Sequence, residues 1–186
     1  MKLLMIRHGL TAGNLEKRYI GTTDEPLCEA GIRQLRSCSY PMCEVLLTSP
    51  MQRCIQTAAI LFPGQTAQTV PDFRECSFGD FEGKSYAELN GDPQYQAWID
   101  SGGTAPFPHG ESPAAFRQRC CDAFSAAMKQ YADAESICMV VHGGTIMSVL
   151  AEFALPKRSY FDWMTENAHA RLCEFDGRNI RLTEKL

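Results

Sequence analysis

Two arginines and two histidines stand where short apolar runs of the chain end. Arg7 and His8 follow the run LLMI, His142 follows ICMVV, and Arg53 lies a few residues beyond VLL. Guanidinium groups bind phosphate oxygens through paired hydrogen bonds. An unprotonated imidazole can act as a nucleophile. Together these residue types could hold a phosphoryl group and attack it.

The apolar runs that precede these residues are typical of buried strands. Residues 3–6, 45–47 and 137–141 favour central parallel strands, which are covered on both faces. Near the C-terminus, ARLCEF and NIRLTE flank DGR and indicate a hairpin or a pair of edge strands. Since helix-like and strand-like segments alternate, these five strands predict an α/β three-layer sandwich, with a mostly parallel sheet flanked by helices.

The helix starts are also recognisable. Ser-Pro pairs at 49–50 and 112–113 each indicate an N-cap followed by a first helical residue. A third helix is expected from near Gly144 to about Leu155, because the next residue is proline. The segment from about 73 to 110 is irregular and rich in Gly and aromatic residues, which is typical of an insertion that covers a substrate.

In an open α/β sheet, ligands bind at the carboxyl ends of the strands. We therefore expect Arg7, His8, Arg53 and His142 to meet at that edge. Helix N-termini there would add backbone N–H donors for an anion. Gly143, directly after the second histidine, would let the backbone approach it closely.

Composition narrows the class of protein. The chain has 186 residues, which predicts a single domain over 1–186. Its net charge of -4 gives no basic surface for nucleic acid. No apolar run approaches the roughly 20 residues that span a membrane. The start MKLLMI is too short for a secretory signal, so we expect a cytoplasmic protein.

The cysteines predict neither a disulfide framework nor a metal site. There are nine, an odd number, and none forms a C-x-x-C pair. The four histidines form no H-x-x-x-H pair either. We expect no metal and no cofactor.

Several segments resemble one family. Residues 7–14, RHGLTAGN, are similar to the N-terminal signature of the histidine phosphatases, or phosphoglycerate mutase-like superfamily, except that Leu10 stands where the family has Glu or Gln. Similar segments then follow in family order: GTTDEPLCEAG, TSPMQRCIQTA, RECSFGDFEG, PHGESPAAFRQR and VVHGG. PHGES resembles the small phosphatase branch, which includes α-ribazole phosphatase. The resemblance spans essentially the whole chain.

The resemblance implies roles for five side chains. His8 would attack phosphorus and form a phosphohistidine. Arg7 and Arg53 would hold the phosphoryl oxygens, and His142 would donate a further hydrogen bond to them. Glu75 matches the general acid, which needs a raised pKa to donate a proton near neutral pH.

The roles of several other candidate site residues are less clearly indicated by the sequence. Glu82 competes with Glu75 as the acid, although its position before a glycine favours a structural role. Asn14 and Thr22 are expected to contact phosphate or substrate. His109 either reaches the substrate or lies on the surface, and His169 is expected to be structural. A group of side chains in the irregular segment could line a pocket or form a small core: Phe78, Phe81, Tyr86, Tyr95, Trp98, Phe107 and His109.

Three functions are compatible with these residues. The leading one is a phosphomonoester hydrolase acting on a small phosphorylated metabolite, of which α-ribazole phosphate is one candidate. A phosphoglycerate mutase would use the same residues, although the mutases that the chain resembles are generally longer. A non-catalytic module that binds a phosphorylated ligand is the third, and it would be favoured if His8 or Glu75 were missing. The sequence makes no prediction of oligomeric state.

Overall fold

The computed structural model describes residues 1–185, with side chains through Thr183. Leu186, the last residue of the predicted domain, lies outside the described residues. Within that range the chain forms one sheet of seven strands. The strands are β1 Lys2–Arg7, β2 Val45–Thr48, β3 Gln68–Thr69, β4 Ser136–Val141, β5 Ala154–Leu155, β6 Ala170–Phe175 and β7 Ile180–Lys185.

The sheet is mostly parallel, as predicted. Its strand order is β3-β2-β4-β1-β6-β7-β5, and β4 pairs in parallel with both β1 and β2. Only β6 runs against its neighbours, since it pairs antiparallel with β1 and with β7. The five predicted strands are confirmed. The pattern missed β3 and β5, because two residues are too few to show a periodicity.

Helices cover both faces of this sheet. The α-helices of the described residues are α1 Ala12–Leu15, α2 Glu29–Arg36, α3 Gln52–Leu61, α4 Tyr86–Leu89, α5 Pro93–Asp100, α6 Pro113–Gln130 and α7 Gly143–Phe153. Three short 3₁₀ helices lie at Pro71–Phe73, Gly79–Phe81 and Tyr160–Trp163.

Alternate residues of the strands form the two cores between the layers. On β1, Leu3 and Met5 pack with α6 and α7, whereas Leu4 and Ile6 pack with α3. Burying each such side chain contributes roughly 1.5–3 kcal/mol, before the entropy cost of ordering the chain. The helical layers on both faces therefore fix the backbone of β1, and with it the residues that follow.

Two of the predicted helix ends differ from the structure. The N-cap of α3 is Met51 rather than Ser49, so the Ser-Pro prediction at 49–50 is wrong. The Ser49 hydroxyl contacts His142 Nε2 and accepts the N–H of Met51, which precedes the helix, so it bonds no N–H of α3. The prediction at Ser112 is confirmed, because its hydroxyl accepts the N–H of Ala115 at 3.1 Å. The helix α7 ends at Phe153, two residues early, because β5 pairs with β7.

The segment 73–110 carries α4, α5 and a small aromatic core. Phe81 and Phe107 are buried, and Tyr95 and Trp98 pack against them. Tyr95 and Trp98 stack with ring centroids 6.0 Å apart. Of the two alternatives for these aromatic residues, the structure favours core packing. Tyr86 is exposed and does not join this core.

Candidate active site

Three adjacent strands end at the same edge, and the two predicted histidines and a serine lie at their ends. His8 follows β1, His142 follows β4, and Ser49 follows β2. The His8 N–H donates to the Val141 carbonyl at 3.0 Å, which ties the two strand exits together. The ring centroids of His8 and His142 are 5.2 Å apart, in an edge-to-face arrangement. The expected convergence of the two histidines is therefore present in the structure.

His8 is held as a neutral imidazole with one free nitrogen. Its Nδ1 lies 2.8 Å from the Gly9 carbonyl. A carbonyl only accepts hydrogen bonds, so Nδ1 carries the proton and Nε2 keeps its lone pair. Burial lowers the pKa of His8 well below its usual range, and Arg53 and Arg7 lower it further. The side chain is thus a neutral imidazole at neutral pH, and its free Nε2 has the lone pair that a nucleophile needs.

His142 is oriented by a serine hydroxyl. Ser49 Oγ lies 2.7 Å from His142 Nε2 and accepts the Met51 N–H at 3.3 Å. The hydroxyl proton is therefore available to donate to Nε2, which favours the tautomer with its proton on Nδ1. Burial lowers the pKa of His142 well below its usual range, with Arg53 as the next cause.

The two arginines present unused donors beside the histidines. Arg53 is 1% exposed, and it donates to the carbonyls of Thr23 and Gly21, each at 2.9 Å. Arg7 donates to the Thr165 carbonyl at 2.9 Å. The buried Nε of each arginine has no hydrogen-bond partner among the residues described. Buried donors are normally paired, so two unpaired arginine Nε groups at the carboxyl edge of the sheet indicate a site for an anion.

Glu75 has the properties of a proton donor. Burial raises its pKa, although the N–H of Cys76 and the charges of Arg53 and Arg7 oppose that effect. Its Oε1 accepts the Cys76 N–H at 3.0 Å, and the backbone of Gly144 lies close by and acts against the rise in its pKa. A Cβ at Gly144 would lie 2.6 Å from Glu75 Oε1, so only glycine lets the start of α7 approach the acid.

Glu82, the competing carboxylate, serves another purpose in the structure. Its Oε1 accepts the N–H groups of Gly21 and Thr23 at 2.7 and 2.9 Å. These two residues hold Arg53 through their carbonyls. Glu82 is therefore a positioning residue: it fixes the loop that aims the Arg53 guanidinium.

Replacing Glu82 with Ala should weaken phosphate binding through that loop. The N–H of the buried Gly21 loses its acceptor, which costs about 1–3 kcal/mol if it stays unpaired, whereas the N–H of the exposed Thr23 can bond water. We expect a lower melting temperature and a KM, or a Ki for inorganic phosphate, that rises about tenfold. Glu82→Gln keeps an acceptor oxygen and should show a smaller change. An unchanged KM in Glu82→Ala would contradict this role.

Two of the predicted substrate-binding residues, Asn14 and Gly143, lie beside His8 and Arg7. Asn14 Oδ1 accepts from Asn167 Nδ2 at 3.1 Å, and the same Nδ2 donates to the His8 carbonyl at 3.0 Å. Gly143 begins α7, and a Cβ there would lie 3.4 Å from Arg7 Nε. Both therefore lie within the site.

Thr22 and His109 lie further out. Thr22 is exposed, between the two residues whose carbonyls hold Arg53. His109 is exposed, and its Nδ1 lies 3.0 Å from Asp80. The structure shows no contact between His109 and the histidines, arginines or Glu75 among its described residues. It does not bring His109 into the group.

Sequence reasoning missed two residues of the site. The Ser-Pro pair predicts a helix cap at Ser49, and nothing in the local sequence indicates the bond of its hydroxyl to His142. Asn167 carried no signal, because it lies in a loop 159 positions from His8. Leu10, the departure from the family signature, accepts the Cys28 N–H with its carbonyl at 3.0 Å, a bond that does not depend on its side chain.

The described part of the chain contains neither a cluster of metal-ligating side chains nor a membrane-spanning helix. Among the side chains that the structure describes, through Thr183, no group of three or more His, Cys, Asp and Glu residues is arranged to hold a metal ion. In the same range, no helix has both the length and the apolar character needed to cross a bilayer.

The fold, with two histidines and two arginines at one sheet edge, is that of a known class of proteins. A family model described as "Histidine phosphatase superfamily (branch 1)" matches residues 3–185. The chain belongs to this superfamily, and its fold is phosphoglycerate mutase-like.

Individual members of the superfamily are similar to the chain over most of its length. The adenosylcobalamin/alpha-ribazole phosphatase of Salmonella typhimurium is 26% identical over 175 residues, which cover 89% of this chain and 86% of that protein. The alpha-ribazole phosphatase structure of Shigella flexneri matches with a TM-score of 0.89 and 25% identity, covering 100% and 96% of the two chains. The phosphoglycerate mutase structure of Thermus thermophilus matches with a TM-score of 0.78 and 27% identity, covering 100% and 98%.

Proposed function

We propose that the protein is a phosphomonoester hydrolase that acts through a phosphohistidine at His8. The observation that carries the proposal is the pairing of a neutral His8, its Nε2 free, with two buried arginine Nε groups that lack partners among the described residues. The first supplies a nucleophile, and the others supply donors for the oxygens of the phosphoryl group.

Catalysis proceeds in two displacements. In the first, His8 Nε2 attacks phosphorus in line, the bond to the ester oxygen breaks, and Glu75 gives its proton to the leaving oxygen. In the second, Glu75, now a carboxylate, takes a proton from water as the water oxygen attacks the phosphohistidine. Inorganic phosphate leaves, and both residues return to their starting protonation states.

The remaining groups stabilise the charge on the phosphoryl oxygens. Arg7 and Arg53 contact these oxygens in both displacements, and His142 donates from Nδ1 as charge builds on them. Preorganised donors of this kind are worth roughly 2.7–4 kcal/mol each at oxyanion sites. Because these cationic and neutral donors neutralise the charge, the proposed mechanism uses no metal ion. We also propose that the segment 73–110 covers the bound substrate.

The substrate proposed is a small phosphorylated metabolite. The names of the Salmonella and Shigella relatives support α-ribazole phosphate as a candidate. The likeness to the Thermus phosphoglycerate mutase supports a second function, in which the phosphohistidine returns its phosphoryl group to the product rather than to water. A non-catalytic phospholigand module is less well supported, because His8 and Glu75 are both present.

Purified protein should hydrolyse p-nitrophenyl phosphate at the same rate with and without a chelator such as EDTA. Activity that disappears with the chelator, and returns with added metal, would overturn the metal-free mechanism. Release of phosphate from 3-phosphoglycerate, compared with its conversion to 2-phosphoglycerate, separates hydrolase from mutase. A panel of phosphate esters that includes α-ribazole phosphate, ranked by kcat/KM, then determines the substrate.

A further inference from the structure

A cation and an aromatic ring stack beside the candidate acid. The guanidinium carbon of Arg117, on α6, lies 3.8 Å from the centroid of the Tyr160 ring. A guanidinium that stacks by its face keeps its N–H edge free for hydrogen bonding. The stack therefore orders the Arg117 side chain without using its donors.

Gly144 connects this pair to Glu75. A Cβ at Gly144 would lie 2.6 Å from Glu75 Oε1, so this glycine lies against the carboxyl group, and its carbonyl accepts from the Tyr160 hydroxyl at 3.4 Å. Phe116, the neighbour of Arg117, reaches the same glycine, since a Cβ there would lie 2.9 Å from its ring. Burial and the nearby Glu75 carboxylate raise the pKa of Tyr160. Tyr160 thus lies near Glu75, and Arg117 stacks on the Tyr160 ring. Because Glu75 protonates the leaving oxygen in the proposed mechanism, the pair is placed toward the leaving alcohol.

The charge of Arg117 is not neutralised within the described part of the chain. Neither an ion pair nor a hydrogen bond to Arg117 occurs there, and the side chain is half-buried. Arg119, on the same helix, is the contrast: it pairs with Glu111 at 2.7 Å and donates to the Asp72 carbonyl at 2.7 Å. An ordered, half-buried guanidinium with unused donors is suited to binding an anionic oxygen group.

We propose that Arg117, stacked on Tyr160, binds an anionic group on the leaving alcohol, so that the preferred substrates carry a second carboxylate or phosphate there. This inference rests on the proposed hydrolase function and narrows its substrate class. It ranks such esters above α-ribazole phosphate, whose leaving nucleoside has no second anionic group.

The test compares phenyl phosphate with 4-carboxyphenyl phosphate, whose leaving groups differ by one carboxylate. The quantity measured is the ratio of their kcat/KM values, carboxylated over neutral, in the wild type and in Arg117→Met. We expect the ratio to fall about tenfold or more in the variant, with little change for phenyl phosphate. Arg117→Lys keeps the charge and should retain part of the ratio. Arg36→Met, an equal loss of charge at an exposed position of α2, should leave it unchanged.

The outcomes separate this inference from the proposed function. If the wild type hydrolyses both esters and Arg117→Met leaves their ratio unchanged, or lowers both values alike, the subsite is wrong and the hydrolase stands. Should Arg117→Met not fold, Arg117→Lys takes its place in the comparison. A ratio equal to that of the wild type would then overturn the proposal that the stacked guanidinium binds the anionic group. A ratio that falls as far in Arg36→Met as in Arg117→Met would overturn the subsite as well. A wild type that hydrolyses neither ester would overturn the proposed function and the inference with it.

Discussion

His8→Ala is expected to lower kcat for phosphate-ester hydrolysis by at least about 10⁴-fold. The variant keeps the arginine donors but has no nucleophile at the phosphorus, so the covalent route is closed. Binding should persist, because Arg7 and Arg53 do not depend on the imidazole for their backbone contacts. Steady-state rates, together with a Kd for inorganic phosphate, would measure the two effects separately.

A matched control is available in His169. Its Nδ1 contacts the carbonyl of Asn167, within its own loop, and its side chain is partly exposed. His169→Gln should therefore hydrolyse esters at nearly the wild-type rate. Comparable losses in both variants, or a His8→Ala enzyme with wild-type turnover, would count against His8 as the nucleophile.

Glu75→Gln should have an effect that depends on the leaving group. A general acid contributes about 10²–10⁴-fold when the leaving alkoxide is a strong base. We therefore expect a loss of that size on an alkyl phosphate, and a loss of about tenfold or less on p-nitrophenyl phosphate, whose phenolate leaves without a proton. Glu82→Gln is the matched carboxylate control. Because Glu82 acts through Arg53, Glu82→Gln should affect both esters alike. An equal loss on both esters in Glu75→Gln would contradict the role of Glu75 as the acid.

The pH dependence follows from the same two residues. Burial raises the pKa of Glu75, so its acid form persists to higher pH than that of an ordinary carboxyl group. Hydrolysis of an alkyl ester should fall as the pH rises through that pKa, and this limb should be absent in Glu75→Gln. The pKa of His8 is lowered, so its neutral form persists to lower pH, and loss of the nucleophile belongs to the acidic limb.

The central strands and the residues at their exits could be predicted because they depend on local pattern. A continuous apolar run predicted each strand, and parallel strands end at one edge. The position of β4 between β1 and β2 then brings His8, His142 and Ser49 together. The carboxyl ends of these strands therefore locate the site at one edge of the sheet before any side-chain geometry is known.

The supporting contacts could not be predicted, because they join positions far apart in the chain. Glu82 reaches Gly21 across 61 residues, and Ser49 reaches His142 across 93. No periodicity links such positions. A serine before a proline is compatible with a helix cap, and only the tertiary fold gives its hydroxyl to an imidazole instead. The short edge strands β3 and β5 could not be predicted for a related reason: their pairing depends on the neighbouring strands rather than on their own two residues.

The covalent intermediate is the central claim, and trapping it is the most direct test. Enzyme mixed with a ³²P-labelled ester would be quenched in alkali within milliseconds, digested, and the labelled peptide sequenced. We predict one acid-labile phosphoryl group on Nε2 of His8, formed and lost at rates compatible with turnover, and absent from His8→Ala. Turnover without label on His8, or label on another residue that persists in His8→Ala, would contradict the account.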